Sequence, residues 1–175
     1  MKRIILCCFA LSAVIISCNP KEETKTGDAA AASTVKLPYE ASYTTDFTNN
    51  VSDSDLLVAL NSYKYWESGD MNALRGTMGD SVEVIGADGM RFKGLTDSLM
   101  PKWQHGRDSL SSAVIKMEVW LKNHSVKDGM DYINVWYKEI DTHKNGKIDS
   151  ANYEDDNGMK NGKIVWYSSH KQVLK

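Results

Sequence analysis

The chain has 175 residues, 42% of them hydrophobic, with 21 Lys and Arg against 23 Asp and Glu and a formal net charge of −2. That balance offers no basic face to neutralise phosphates, which excludes nucleic-acid binding on electrostatic grounds. Beyond the first eighteen residues no apolar run approaches the roughly twenty residues that a membrane-spanning helix needs, so any membrane attachment has to be by lipid.

Met1-Lys2-Arg3, the apolar run Ile4 to Ile16 and Ser17-Cys18 describe a secretory signal peptide over residues 1–17. Ile15-Ile16-Ser17-Cys18 resembles the lipobox of bacterial lipoproteins, which implies that Cys18 becomes the lipid-bearing first residue of the mature chain, acylated with chains such as palmitate. Cys7 and Cys8 leave with the signal, so no intrachain disulfide remains and stability has to come from an ordinary core. Loss of Lys2 and Arg3 leaves 19 basic against 23 acidic residues, a net charge of −4. Residues 18–50 are polar and small and read as a flexible tether, within which Lys36 to Phe47 has the apolar content of a strand or docking piece. Lys21-Glu22-Glu23 resembles the signal that carries some lipoproteins of Bacteroidota to the outer face of the outer membrane. The expected location is the cell envelope, as an outer-membrane lipoprotein that is periplasmic or surface-exposed.

Residues 51–175 are one domain's worth of chain. Ser52-Asp53-Ser54-Asp55, apolar residues Leu56, Leu57, Leu60, Tyr63 and Trp66 at three- and four-residue spacing, and Gly69 predict a helix over about 53–68. Asp70 caps a second, short helix through Met71, Leu74 and Met78. Val82, Val84 and Ile85 predict a strand that breaks at Gly86-Ala87-Asp88-Gly89 and resumes at Met90 to Phe92. Thr96 starts a third helix that carries Leu99, Met100 and Trp103 and ends near His105-Gly106, with Pro101 a turn inside it.

After Gly106 the apolar period changes to two. Ala113, Ile115, Met117, Val119 and Leu121 predict the buried face of a strand, with Lys116, Glu118, Lys122 and His124 toward water and Trp120 interrupting the wet side. A second strand, about 130–140, sets Ile133, Val135 and Tyr137 against Tyr132, Asn134 and Trp136. The last, 163–172, sets Ile164, Trp166, Ser168 and His170 against Val165 and Tyr167. Three Asn-Gly pairs, at 145, 157 and 161, read as tight turns, with a short strand near 148–153 between them.

Helices followed by an antiparallel sheet, with Trp66-Glu67-Ser68-Gly69-Asp70, Gly79-Asp80-Ser81-Val82-Glu83-Val84, Gly94 and Gly162-Lys163-Ile164-Val165 at its joints, resemble the nuclear transport factor 2-like superfamily and its SnoaL-like members. The resemblance implies an α+β, cystatin-like cone in which N-terminal helices close a curved sheet around a pocket. In relatives that pocket hosts ketosteroid isomerases, polyketide cyclases and epoxide hydrolases, or no known chemistry. Carried over on the glycine anchors, the isomerases' catalytic aspartate falls on Gly86, which cannot take a proton, and their helix-one tyrosine falls near Ser62. A shift of one or two places brings Asp88 or Tyr63 to the pocket.

On that fold the pocket candidates are Trp66, Trp103, His105, Trp166, Ser168 and His170, with His170 and Asp88 as the proton carriers of an enzyme. Asp141 to Asp149 follows a calcium-loop spacing at Asp141, Asn145, Gly146, Ile148 and Asp149, but His143 is a poor hard-cation ligand, Asn152 stands in place of the bidentate glutamate, and a hairpin turn accounts for the same residues. No cofactor is expected. The reading is a lipid-anchored domain that binds a small apolar or aromatic ligand or a partner protein, with an enzyme of the same fold (lyase, isomerase or hydrolase) as the alternative. The aromatics Tyr132, Trp136 and Trp120 motivate a homodimer through the sheet face.

Overall fold

Two acidic residues and a serine set the start of the first helix, as the sequence predicts. In the computed structural model, which describes residues 38–173, α1 runs Asp53–Ser68; the Ser52 hydroxyl accepts from the Asp55 N–H at 3.0 Å and Gly69 closes the helix at φ 76°. A side-chain oxygen satisfies an end N–H at one end, and glycine takes the left-handed conformation without strain at the other. α2, Met71–Thr77, starts on Asp70, whose carboxylate accepts from the Ala73 N–H at 2.9 Å. α3, Thr96–Asp108, contains Pro101 and runs past Gly106. The proposed signal peptide and Cys18 lie outside the described residues.

Seven strands form one sheet: β1 (Phe47–Thr48), β2 (Met78–Ile85), β3 (Arg91–Leu95), β4 (Leu110–Ser125), β5 (Asp131–His143), β6 (Ile148–Lys160) and β7 (Lys163–Val173). Their order is β1-β4-β5-β6-β7-β2-β3, antiparallel throughout except where β2 runs parallel to β7. Helix residues Ala59, Tyr63, Met71 and Leu74 pack on the sheet face that carries Ile133, Val135, Tyr137, Met159 and Ile164. The compact unit is Ala41–Lys175, so it includes β1 and the residues before it that composition assigns to the tether. Among the described residues, no helix is long and apolar enough to cross a membrane.

Two of the sheet's β-bulges overturn the faces expected from the sequence pattern. In β4, Met117 pairs with Tyr137 and Val119 with Trp136, so Glu118 is an extra residue. Beyond it the alternation inverts. Val119 and Leu121, expected in the core with Ala113, Ile115 and Met117, are about half exposed on the opposite face. Trp120 turns to the helix side, and Lys122 reaches Asp53 of α1 at 2.8 Å. In β7, Gly158 pairs with Trp166 and Met159 with Ile164, which makes Val165 the extra residue. Tyr167, Ser169 and Lys171 therefore share the helix-side face with Ile164, and the expected grouping of Ile164 with Trp166, Ser168 and His170 is corrected.

One of the three Asn-Gly pairs is also reassigned. Asn145-Gly146 and Asn161-Gly162 are turns, with Gly146 at φ 84° and Gly162 at φ 71°, whereas Asn157-Gly158 lies inside β6, paired on both sides. The glycine is needed there for space: a Cβ at 158 would stand 3.0 Å from the Trp166 Cβ and 3.2 Å from the Met130 sulfur. Gly158→Ala is expected to cost ~1–3 kcal/mol of stability by overpacking. Gly76→Ala, in α2 with open space around it, is expected to gain about 0.5–1 kcal/mol. Urea denaturation of the two variants checks both; an unchanged Gly158→Ala protein would mean that the β6–β7 contact yields freely.

Candidate functional site

A cavity of about 180 Å³ lies between the helices and the sheet. α1 supplies Ser62, Tyr63 and Trp66; α3 supplies Trp103; the sheet supplies Ile115, Tyr137, Glu139, Tyr153, Asn157 and Tyr167; Leu74 and Met78 close it from α2 and the start of β2. The end of α1 is held in place from two sides. Arg107 of α3 donates to the Trp66 and Glu67 carbonyls at 2.7 and 2.8 Å, where a cation also complements the helix C-terminus. Glu67 accepts from the Ile115 N–H at 2.7 Å, which ties the same turn to β4.

The deepest group beside the cavity is Asp155, fully buried on β6. Its Oδ2 accepts from three phenols on three elements: Tyr63 at 3.1 Å, Tyr137 at 2.8 Å and Tyr167 at 2.8 Å. Burial pushes the Asp155 carboxyl up, and the hydroxyls of Ser169, Tyr167, Tyr137 and Tyr63 pull it part of the way back. Burial, with the Asp155 charge beside them, drives all three tyrosines well above the ordinary phenol range, so each keeps its proton. Asn157 extends the network, donating to the Tyr63 oxygen at 3.0 Å and to the Ile133 carbonyl at 3.1 Å. The carbonyl can only accept, which fixes the orientation of the amide and leaves its Oδ1 without a partner among the described residues.

Glu139 is the ionisable carboxyl on the cavity wall. It is 8% exposed, accepts from the Trp66 indole N–H at 2.7 Å, and is pushed up to about 7 by burial first and then by the neighbouring charge of Asp141. Asp141, one step along the same face of β5, is also raised, by burial, against the pull of Glu139, His143, Lys171 and Arg107. A carboxyl that titrates near neutrality in an aromatic cavity can hold a proton for a ligand, accept one, or bind a cation.

Of the residues singled out from sequence, the structure brings Trp66 and Trp103 to this cavity. His105 is exposed on α3. Asp88 is exposed in the β2–β3 turn, where its carboxylate accepts from the Met90 N–H at 2.9 Å, and Gly86 is in the same turn. The Val165 bulge sends Trp166, Ser168 and His170 to the outer face, where Trp166 meets Tyr132 edge-on at 6.1 Å beside Asn123, Asn134 and Asp156. Trp136 shares that face; Trp120 does not, because of the Glu118 bulge. Of the two sequence options for helix one, Tyr63 reaches the network at the cavity floor.

Tyr137, Glu139, Tyr153, Asp155, Asn157 and Tyr167 are the residues at the cavity that the sequence did not single out. Glu139 had a signal, since it continues the Ile133, Val135, Tyr137 face as a carboxyl at a core position. Asp155 and Asn157 had none, because a run of polar residues with an Asn-Gly pair reads as a loop.

The calcium-like loop is a hairpin. Asn145 accepts from the Lys147 N–H at 3.0 Å, and Asp149 is bound to His143 at 2.9 Å and to Lys147 at 2.9 Å. Asp141 points instead toward Glu139. Among the described residues no group of three or more His, Cys, Asp or Glu is arranged to hold a metal ion.

No protein-family model matches the chain, and no curated protein matches it significantly. Solved structures do. A ketosteroid isomerase-like protein from Erwinia carotovora atroseptica superposes with a TM-score of 0.58 at 13% identity, over 73% of this chain and 100% of that one. An NTF2-like protein of unknown function from Burkholderia pseudomallei gives 0.57 at 16% identity, over 70% and 92%. An LEH-like epoxide hydrolase of M. tuberculosis gives 0.58 at 7% identity, over 69% and 84%. The chain therefore adopts the nuclear transport factor 2-like fold, an α+β cone in which a curved, unclosed and mainly antiparallel sheet carries helices over a pocket.

Proposed function

We propose that this chain is a lipid-anchored cell-envelope protein whose domain binds a small, ring-bearing ligand in the cavity between α1, α3 and the sheet. The observation that carries the ligand is the wall itself: Trp66, Trp103, Tyr63, Tyr137, Tyr153 and Tyr167 around about 180 Å³. An apolar cavity of about 150 Å³ takes one benzene, so this one suits a single ring with a short arm. The lipid anchor rests on the Ile15-Ile16-Ser17-Cys18 motif. A homodimer through the outer sheet face would draw on Tyr132 and Trp136, which share it.

The second reading is an acid–base enzyme on the same ligand class. Glu139 favours it, being a proton carrier near neutrality inside the cavity, in the role that sequence gave to His170 or Asp88. Structural neighbours described as ketosteroid isomerase-like and as an epoxide hydrolase lend this reading weight by analogy of fold alone.

A thermal-shift series on the full chain with one-ring and four-ring compounds tests the cavity reading. Saturating one-ring compounds should raise the melting midpoint, by roughly 2.7 kcal/mol of stability at a hundredfold excess over Kd, and four-ring compounds should not. Binding should fall at least tenfold in Trp103→Ala, by ~1.4 kcal/mol.

Glu139 also sets a pH dependence. Its folded pKa, about 7, lies above the unfolded value of 4.5, so the folded state holds more protons in that window and stability falls as pH rises through it. Glu139→Gln should match the wild type near pH 4.5 and exceed it above pH 7, by on the order of 1–3 kcal/mol. Parallel denaturation slopes for the two proteins across the window would remove Glu139 as the source.

Cys18→Ser should abolish labelling by a palmitate analogue and move the protein from the membrane to the soluble fraction, with no change in the melting midpoint of the domain. Membrane retention of the unlabelled variant would refute the anchor.

A further inference from the structure

The hydrogen-bond ledger of the cavity wall is one-sided. The Tyr63, Tyr137 and Tyr167 hydroxyls give their protons to Asp155, the Trp66 N–H goes to Glu139, the Ser62 hydroxyl to the Ala59 carbonyl at 2.7 Å, and both Asn157 amide protons to Tyr63 and Ile133. Among the lining donors, the Trp103 N–H makes no hydrogen bond to a described residue, while the Tyr153 hydroxyl lies beside Lys171. Acceptors are left over instead. Asn157, 1% exposed, is a lining residue, and behind the wall the Oδ1 atoms of Asn157, Asp155 and Asp141 are buried with no hydrogen-bond partner among the described residues. Glu139 accepts from Trp66 through one carboxyl oxygen and stands on the cavity wall with Asp141 beside it.

A carboxyl on an aromatic wall is best matched by donors, so the group that suits this cavity supplies N–H or O–H bonds to Glu139. A ligand carboxylate brings only acceptors and meets Glu139 on the wall, with the acidic Asp141 and Asp155 close behind it. A carbonyl finds the three floor tyrosines already committed. The charges facing Glu139 are Asp141 on its own strand, Asp155 on β6 and Lys171 on β7, and around Asp141 also His143 and Arg107. Lys171 shows what the wall attracts: its ammonium sits 5.3 Å from the centre of the Tyr153 ring, a cation on an aromatic face.

We propose that the ligand of this cavity is an organic amine, a single ring whose ammonium binds Glu139 while the ring lies among the tyrosines and tryptophans. This rests on the ligand-binding reading above and narrows it to a chemical class. An ammonium carries three donors and a charge, which answers the Glu139 carboxyl on the wall, and aromatic walls favour it over a neutral group of the same shape. Because Glu139 has to be ionised to receive it, binding near neutral pH releases a proton.

The test is isothermal titration of the full chain with four matched probes, 2-phenylethylamine, 2-phenylethanol, 3-phenylpropanoate and ethylbenzene, in two buffers of different ionisation enthalpy at pH 7. The amine should bind at least about tenfold more tightly than the alcohol, ~1.4 kcal/mol, with proton release, and the carboxylate should not bind. Glu139→Gln should bring the amine-to-alcohol ratio to about one and abolish proton release; a cooperative thermal unfolding transition and retained binding of ethylbenzene, which makes no hydrogen bond, show that the variant is folded. Equal or tighter binding of the alcohol or the carboxylate, or an amine preference that survives Glu139→Gln, overturns the proposal and leaves the cavity reading standing. Failure of all four probes, ethylbenzene included, overturns the cavity reading and the proposal with it.

Discussion

The buried carboxylate of Asp155 is the joint on which this fold turns. Its Oδ2 gathers phenols from α1, β5 and β7, so one acceptor sets the distance of the first helix from the sheet and the angle between neighbouring strands. A charge taken out of water is tolerated only where donors replace its hydration, and removing one partner of such a cluster leaves an uncompensated group. The same three tyrosines are walls of the cavity. The polar network that fastens the helix therefore also dictates the chemistry of the pocket, because protons committed to Asp155 are not available to a ligand.

Around that joint, rings pack in fixed geometry. Tyr63 meets Tyr137 edge-on at 5.1 Å, and Tyr137 stacks on Tyr153 at 5.2 Å with planes 10° apart. One turn further along α1, Trp66 reaches Glu139, and Arg107 holds the carbonyl end of that turn. Each contact places an aromatic surface and a polar tip together, which is how a cavity this small combines an apolar wall with a titratable group. The outer face of the sheet is built otherwise, with a hydrogen-bonded row Asn123–Asn134–Asp156 beside Tyr132 and Trp166.

The strand periodicity and the bulges show how local and global order part company here. Ile133, Val135 and Tyr137 were legible as a core face because β5 keeps a strict two-residue alternation between two partners. In β4 and β7 one added residue inverts the faces, and nothing in the local composition of Glu118 or Val165 marks them as added. That inversion moved Trp166, Ser168 and His170 out of the pocket and moved Tyr167 into it. A bulge depends on how a neighbouring strand pairs, so it belongs to the assembled sheet rather than to the segment that bears it.

The sequence by itself determined the three helices and both ends of the first, the order of helices before strands, the hairpin at Asn145-Gly146, and hence the fold class. Capping oxygens, left-handed glycines and apolar periods act over a few residues, so they can be read locally. Tyr63 was reachable through the family resemblance, one place from the position it implies at Ser62. Only the tertiary structure decided that Asp155 and Asn157, in a polar run resembling a loop, are buried at the floor of a cavity, and that Glu139 rather than His170 or Asp88 is its titratable wall. Burial of a polar group is settled by donors arriving from other elements, here a helix and two strands whose separation in the chain hides their meeting.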